Sequence, residues 1–330
     1  MPHFFPAGAF GGVLATQLSP PVQLHQLLTA FQTDWTSFVA YAAMAAVLAS
    51  YATGRRRLQR RGRDWSDWRT ASFVGGVVVV FIAIGSGVAS YDGSNFVMHV
   101  VQHLLLMNLA PILLALGAPI TLALQSSSRS TQTRLLKVLH SRVVEVITFP
   151  VLTAAIGYGT MLVYFLTPLY ALSLRHPLLH DYVHLHFLLT GCLYWWPVVG
   201  LDPSRWKMKF PTRLGYLATG VPINAMLGVA LTLNRASIDP AVNTLADTHR
   251  GGAVLWGVSE LLLLAGIAVM FVQWARQDAR EASRFDRRLE RELARDAERG
   301  LAGGVIMDPK TGLWHYPAEP TPGGKPPNYG

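Results

Sequence analysis

The chain has 330 residues, of which 51% are hydrophobic and only 14% are charged. This composition is unusual for a soluble domain and typical of an integral membrane protein. The net charge of +9 could suit a nucleic-acid partner, but the basic residues fall between apolar runs and in the C-terminal tail, so we expect no nucleic-acid binding. The lone cysteine, Cys192, excludes both a disulfide framework and a CxxC metal site.

The first 35 residues contain neither Lys nor Arg. The apolar run at 4–14 therefore lacks the positively charged start of a secretory signal peptide, although its Ala and Gly content resembles one. We interpret residues 1–35 as an N-terminal segment on the outer side of the membrane. A processed leader is the alternative.

Apolar runs of about twenty residues follow, and each has the length needed to cross a hydrocarbon core. They lie at about 36–53, 70–90, 96–122, 146–166, 181–200, 213–233 and 252–274. The polar breaks between them are short, and backbone groups at membrane depth are satisfied best by helices. The sequence therefore predicts an all-α, polytopic bundle of about seven transmembrane helices, in one membrane domain at 36–275.

Basic residues collect in alternate loops of this predicted bundle. Seven arginines lie at 55–69, and further Lys and Arg residues lie at 129–137 and 205–209. The intervening loops hold only Arg175, Arg235 and Arg250. Because short basic loops stay in the cytoplasm, we expect a multi-pass plasma-membrane protein with its N-terminus outside and its C-terminus cytoplasmic. Residues 276–330 are predicted to form a cytoplasmic charged helix and a Pro/Gly-rich tail.

Six of the eleven histidines lie near the starts of the third, fifth and seventh predicted spans. They are His99, His103, His180, His184, His186 and His249. These spans all enter from the outer side, so their first turns reach a similar depth. A histidine inside a bilayer costs free energy unless it is paired, solvated or bound to a ligand, which favours a functional role. The remaining five, His3, His25, His140, His176 and His315, are expected to face solvent.

The spacing of these histidines indicates which of them share a helix face. His99 and His103 are four residues apart, which puts both imidazoles on one face, and Met107 extends that face by one turn. His180 and His184 repeat the spacing, whereas His186 points away from His184. We therefore rank His99, His103 and His184 first, His180 next and His186 lower. The structural alternative is that each histidine is only a hydrogen-bond partner between helices.

Several metals are compatible with this set of side chains. Imidazole with a thioether suits copper, and imidazole with a carboxylate suits zinc, so Met107, Asp247 and Glu260 bear on the choice. Two alternatives to a copper-handling protein remain open at this point. One is a haem-binding membrane cytochrome, although histidine pairs on one helix face are less suited to axial ligation from two sides. The other is a zinc-dependent membrane hydrolase.

Three segments carry a family resemblance, namely FVMHVVQHLLLMNLAPILLALGAP at 96–119, HPLLHDYVHLHFLLTGCLYWWPVVGLDP at 176–203 and LADTHRGGAVLWGVSE at 245–260. With the predicted spans around them, they resemble the CtaG family of cytochrome c oxidase assembly factors, the multi-span kind associated with caa-type oxidases. The resemblance runs from about residue 35 to 274. The chain does not resemble the single-span copper chaperone that shares the family's name, because that protein's cysteine pair is absent.

The resemblance assigns family positions through the patterns MHxxQHxLL, HxxxHxHFxxxG and DxxxGGxxxW. They fall on His99, His103, His180, His184, His186, Asp247, Gly251, Gly252 and Trp256. A Gln expected just after the aspartate is replaced by Thr248 and His249, so His249 is either an added ligand or a surface substitution. The resemblance implies a non-enzymatic assembly factor that delivers or holds copper. Its implied partners are cytochrome c oxidase subunits and a copper-donor chaperone.

Overall fold

The computed structural model describes residues 22–298, 306–307 and 314–315. The chain divides into two compact units, residues 1–270 and 271–330. Much of the predicted N-terminal segment, including His3 and the apolar run at 4–14, lies outside the described residues. So does most of the predicted Pro/Gly-rich tail.

Helices joined by short non-helical segments form most of the described part of the first unit. Its first half contains α1 (Leu24–Thr29), α2 (Trp35–Arg60), α3 (Asp67–Gly85), α4 (Gly87–Tyr91), α5 (Phe96–Leu104), a π-helix (Leu105–Leu109), α6 (Ala110–Leu116) and α7 (Pro119–Ser126). Its second half contains α8 (Arg129–Leu139), α9 (Arg142–Ile147), α10 (Pro150–Leu166), α11 (Leu169–Arg175), α12 (Pro177–Val199), α13 (Phe210–Ala218), α14 (Gly220–Thr232) and the start of α15 (Leu245–Glu298).

The second unit, described by itself, contains the rest of α15 and two short strands. The strands β1 (Ile306–Met307) and β2 (Trp314–His315) pair in an antiparallel arrangement. The sequence predicted a membrane span at 252–274 and a charged helix from 276, and the structure has one helix, Leu245–Glu298, over both ranges. The residues at this junction include Ala, Arg and Gln, which favour helix, and no Gly or Pro interrupts them.

Among the described residues, five helical segments are long and apolar enough to cross a membrane, which indicates a helical membrane protein. They are Trp35–Arg60, Asp67–Gly85, Phe96–Ser126, Phe210–Thr232 and Leu245–Arg295. The pair Pro150–Leu166 and Leu169–Arg175 gives a sixth if the two helices form one bent span. Helix α12 has 23 residues but is less apolar, because it contains three histidines and an aspartate. The count of seven and the orientation of the termini stay predictions.

The third predicted span, 96–122, is interrupted twice. The π-helix replaces α-helical geometry at Leu105–Leu109, so one extra residue enters the turn below His103. Further along, Ala118 adopts a left-handed conformation with φ of 47° immediately before Pro119, which begins α7. A non-glycine residue rarely adopts this conformation, and the bulk of a following proline disfavours a helical backbone before it. This span is therefore built from pieces whose faces point in different directions.

The bend between α10 and α11 has a local cause. Pro168 has no N–H to continue the helical hydrogen bonds, and Thr167 before it is extended, with φ of −125° and ψ of 171°. The two helices consequently meet at 78°. The bend places Tyr164, at the end of α10, near Tyr170 on α11, with ring centroids 5.9 Å apart.

Two glycines of the resembling motifs are explained by close helix packing. A Cβ on Gly191 of α12 would run into the backbone carbonyl of Met107 in the π-helix. A Cβ on Gly252 of α15 would lie 2.9 Å from the backbone oxygen of Gly228 on α14. Glycines that let helix backbones approach are a common packing device in membranes. They let α12 approach the π-helix and α15 approach α14.

Candidate metal centre

The first histidine pair lies on α5, whose start is fixed by a helix cap. The Asn95 side chain accepts a hydrogen bond from the Met98 backbone N–H at 3.0 Å, which satisfies one of the free donors at the helix start. His99 and His103 follow on one face, with ring centroids 4.3 Å apart. Their exposed fractions are 0% and 5%, so both imidazoles are removed from solvent. The shared face agrees with the spacing prediction.

The second pair lies on α12 and faces the first. His180 and His184 have ring centroids 4.2 Å apart. Across the two helices, the centroid separations are 5.4 Å for His99 and His180 and 5.4 Å for His103 and His184. We call these four residues the histidine cluster. The structure thus brings together the three histidines ranked first by spacing and also His180, which the spacing ranked below them.

A carboxylate that the sequence analysis missed completes one side of the cluster. Asp92, just after α4, places its Oδ2 3.7 Å from His180 Nε2 and 4.0 Å from His184 Nε2. Asp92, His99 and His180 each offer a possible ligand atom, and these three atoms lie within 4.8 Å of one another. Burial raises the pKa of Asp92 to about 7, against the opposing effect of a hydrogen bond with Gln102. The sequence signal for Asp92 is its position four residues before α5, the helix that carries His99 and His103.

The orientation of His99 is set by groups on both sides of its ring. Nδ1 lies 3.2 Å from the backbone carbonyl oxygen of Asp92, which can only accept, so Nδ1 carries the proton. Nε2 then carries the lone pair, and it accepts a hydrogen bond from the Tyr164 hydroxyl at 3.1 Å. That hydroxyl is in turn 2.8 Å from the Ser173 hydroxyl. Such outer contacts fix the tautomer and direction of a ligating imidazole.

Several ring nitrogens of the cluster have no hydrogen-bond partner in the described part of the chain. These are both nitrogens of His103, Nε2 of His180 and Nε2 of His184, and all four atoms are buried. A buried polar group without a partner costs about 1 to 3 kcal/mol, so native proteins rarely retain one without a reason. The separations of 3.7 and 4.0 Å to Asp92 are too long for hydrogen bonds. They are close to the spacing of atoms that share one metal ion, given ligand bonds of about 2 Å.

Aromatic rings enclose the cluster and keep its surroundings apolar. The His103 ring lies 4.7 Å from Phe187 and 5.1 Å from Tyr164. The His99 ring lies 4.9 Å from Tyr170 in an edge-on arrangement. In such surroundings a charge is costly unless it is compensated by ligands. The arrangement can therefore bind a metal ion through neutral imidazoles and one carboxylate.

Other predicted site residues lie elsewhere. His186 points away from the cluster, as its spacing predicted, and its Nε2 lies 3.1 Å from the Thr160 hydroxyl. His249, partly exposed, places Nε2 2.8 Å from the Asn234 backbone oxygen, where the ring nitrogen donates. His25, His140 and His176 are exposed, as expected, and the side chain of His315 lies outside the described part.

Asp247 has a structural role at the start of α15. Its carboxylate accepts from the backbone N–H of Thr244 at 3.2 Å, and its own N–H donates to the Thr244 hydroxyl at 3.1 Å. This reciprocal pair is a capping box. The group of ligand atoms within 4.8 Å consists of Asp92, His99 and His180, so Asp247 lies outside it.

Residues 49–277 match the protein family described as "Cytochrome c oxidase caa3 assembly factor (Caa3_CtaG)". The chain belongs to this family. The match covers the histidine cluster and both helices that carry it, and it agrees with the resemblance seen in the three sequence segments.

The chain is also similar to proteins of three mycobacteria. Uncharacterized proteins of Mycobacterium bovis and Mycobacterium tuberculosis are each 31% identical over 290 residues, which cover 83% of this chain and 43% of the relative. An uncharacterized protein of Mycobacterium leprae is 31% identical over 274 residues, covering 78% of this chain and 42% of the relative. This chain therefore spans less than half the length of these relatives. No solved structure matches it.

Proposed function

We propose that this protein is a non-catalytic assembly factor that holds copper at the histidine cluster and delivers it to a cytochrome c oxidase subunit. The observation that carries the proposal is the set of buried ring nitrogens of His103, His180 and His184 that have no partner in the described residues. Imidazole is a common copper ligand, and family membership supplies the link to the oxidase.

The proposal includes a position in the plasma membrane. Seven spans would comprise α2, α3, the α5–α7 segment, α10 with α11, α12, α13 with α14, and α15 up to about residue 274. The alternation of basic loops supports an outside N-terminus and a cytoplasmic C-terminus, which puts the histidine cluster near the outer face. Copper would then pass to the oxidase on that side, from a donor chaperone or from solution.

The topology is tested with reporters fused after Arg299 and within the loop before Phe96. The Arg299 fusion should be active only with a reporter that works in the cytoplasm, and the loop fusion only with one that works outside. A reversed pattern would remove the proposed delivery to the outer face.

The metal function is tested with paired histidine variants on one helix. His184→Ala removes a cluster imidazole, whereas His186→Ala removes an imidazole that contacts Thr160 instead. Loss of a metal ligand should weaken copper binding by about tenfold or more and reduce oxidase assembly. We expect His184→Ala to do both at normal protein level and His186→Ala to do neither. Equal behaviour of the two variants would contradict the proposal.

Metal analysis of the purified wild-type protein separates copper from the alternatives. The carboxylate of Asp92 beside two imidazoles also suits zinc, so zinc is the second candidate and would favour a hydrolase. A Soret absorption band would indicate haem instead. Copper bound at one or more equivalents, and lost in His184→Ala, is the result we expect.

A further inference from the structure

We propose that His103, Met107 and Met161 form a second, inner site that binds Cu(I) and lies next to the histidine cluster, toward the middle of the bundle. This inference rests on the proposed function, because it concerns the same cargo. It adds a neighbouring site that shares His103 with the histidine cluster and has a different ligand chemistry. Met161, on α10, was not among the residues predicted from the sequence.

The first observation is a small cavity below the histidine cluster. His103, Met107 and Met161 line it, and the remaining lining side chains are apolar, among them Phe165 and Leu255. His103 is only 5% exposed, and neither of its ring nitrogens has a hydrogen-bond partner in the described residues. One imidazole and two thioethers are thus the only side chains lining this cavity that could hold an ion.

The chemistry of these three groups selects among metal ions. Thioethers are soft ligands that bind Cu(I) and do not compete for protons, whereas zinc in proteins takes thiolate, imidazole or carboxylate. The cavity supplies no carboxylate and is surrounded by apolar side chains. A single positive charge costs less to bury there than a double one. The inner site should therefore prefer Cu(I), or its redox-inert substitute Ag(I), to Zn(II).

Met107 lines the same cavity as His103, and the backbone around it departs from a regular α-helix. The π-helix at Leu105–Leu109 changes the direction of the side chains that follow His103, and such segments often occur at functional sites. Two glycines make room on either side. Gly191 of α12 allows that helix to approach the Met107 backbone, and Gly157 of α10 faces the Met107 methyl group, which lies 3.3 Å from where its Cβ would be.

A second cavity continues from the same two methionines. Met107 and Met161 also line a cavity whose other walls include Asn108, Asn224 and Ser259. The methionines therefore lie between an apolar cavity that contains His103 and a more polar one on the other side. Methionine is flexible, with three rotatable side-chain bonds, so its sulfur can follow an ion between neighbouring positions. No change of oxidation state is needed, since the ion enters and leaves as Cu(I).

X-ray absorption on the wild-type protein tests the inner site without any substitution. The full-length protein is loaded in detergent with two equivalents of Cu(I) under anaerobic conditions, or with Ag(I). We expect sulfur scatterers together with nitrogen scatterers. Bound Cu(I) surrounded by nitrogen and oxygen alone would overturn the inner site and leave the proposed function standing. A protein that binds no Cu(I) at all would overturn both.

A double substitution then identifies the sulfur atoms. Met107→Leu with Met161→Leu keeps the apolar volume and removes both thioethers, and Met226→Leu, at a methionine 53% exposed on α14, is the matched control. We expect the double variant to lose the sulfur signal and about tenfold or more in Ag(I) affinity, with Zn(II) binding unchanged. The control should behave as wild type. A sulfur signal that survives in the double variant would overturn the assignment to Met107 and Met161.

Discussion

Two aspartates in the first unit, the buried Asp202 and the partly buried Asp92, show how differently the protein uses carboxylates. Asp202 accepts hydrogen bonds from the Thr121 N–H at 2.7 Å, the Thr121 hydroxyl at 2.6 Å and the Ile120 N–H at 3.2 Å, at the start of α7. Burial raises its pKa, and these hydrogen bonds oppose the rise. Asp92 instead faces the imidazoles of His180 and His184 at 3.7 and 4.0 Å, beyond hydrogen-bond distance.

The difference separates a carboxylate that accepts hydrogen bonds from a helix start from one that lies beside unpartnered imidazoles. Asp202 satisfies backbone donors that the break at Ala118 and Pro119 would otherwise leave free, so its contacts are complete within the protein. Near Asp92, in contrast, the buried Nε2 atoms of His180 and His184 have no hydrogen-bond partner in the described residues. Under the proposed function, a bound metal ion would compensate for these unfavourable groups. The comparison therefore predicts opposite effects on stability when the two regions are changed.

The largest effect is expected at Asp202. Asp202→Ala leaves the Ile120 and Thr121 N–H groups without their acceptor, which should lower the free energy of unfolding by about 3 kcal/mol. Asp202→Asn keeps one acceptor oxygen and should cost less. Thermal unfolding in detergent measures both. If Asp202→Ala unfolds at the same temperature as wild type, then the hydrogen bonds of Asp202 do not stabilise the fold.

A smaller effect of opposite sign is expected at His103. His103→Leu removes two ring nitrogens that lack partners and keeps an apolar side chain, so the free energy of unfolding should stay equal or rise by about 1 kcal/mol. Oxidase assembly should nevertheless be lost at normal protein level, as it should in His103→Ala. Unfolding in detergent and oxidase activity in membranes are measured on the same variant. A clear loss of stability with normal oxidase activity would make the cluster a structural feature.

The smallest effect is expected at Ala118. Ala118→Gly relieves a left-handed backbone that costs a non-glycine residue about 1 to 2 kcal/mol, but it also adds flexibility to the unfolded chain and removes a buried methyl group. We expect a net gain of about 0.5 kcal/mol. Ala110→Gly, in the helical backbone of α6, is the control and should lose about 1 kcal/mol. A loss at Ala118 as large as that at Ala110 would show that strain at this break is unimportant.

The sequence predicted the features that depend on residues close together in the chain. The apolar runs predicted an all-helical membrane protein, and the spacing of four predicted that His99 and His103 share a face, as do His180 and His184. The same rule placed His186 on another face, where it contacts Thr160. These predictions succeed because helix periodicity alone determines them.

Features that depend on how helices meet could not be obtained in this way. Asp92 and Met161 join the candidate sites because of how the helices pack. The position of Asp92 four residues before α5 is a weak signal in the sequence, and no spacing rule connects Met161 to the histidines. Asp247 looked like a possible ligand because a carboxylate near histidines suits a metal, yet it caps α15 with Thr244. A carboxylate near a helix start has two competing uses, and only the arrangement of neighbouring groups separates them.

The π-helix also determines how far α5, the helix before it, is rotated about its own axis. An α-helix advances about 100° and 1.5 Å per residue, so the extra residue in the turn at Leu105–Leu109 sets the rotation of Phe96–Leu104 relative to α6. A chain one residue shorter here would turn α5 by about 100° while α6 kept its packing. Both imidazoles of α5 would then leave the face opposite α12. The assembly of the histidine cluster is thus tied to a single residue of chain length.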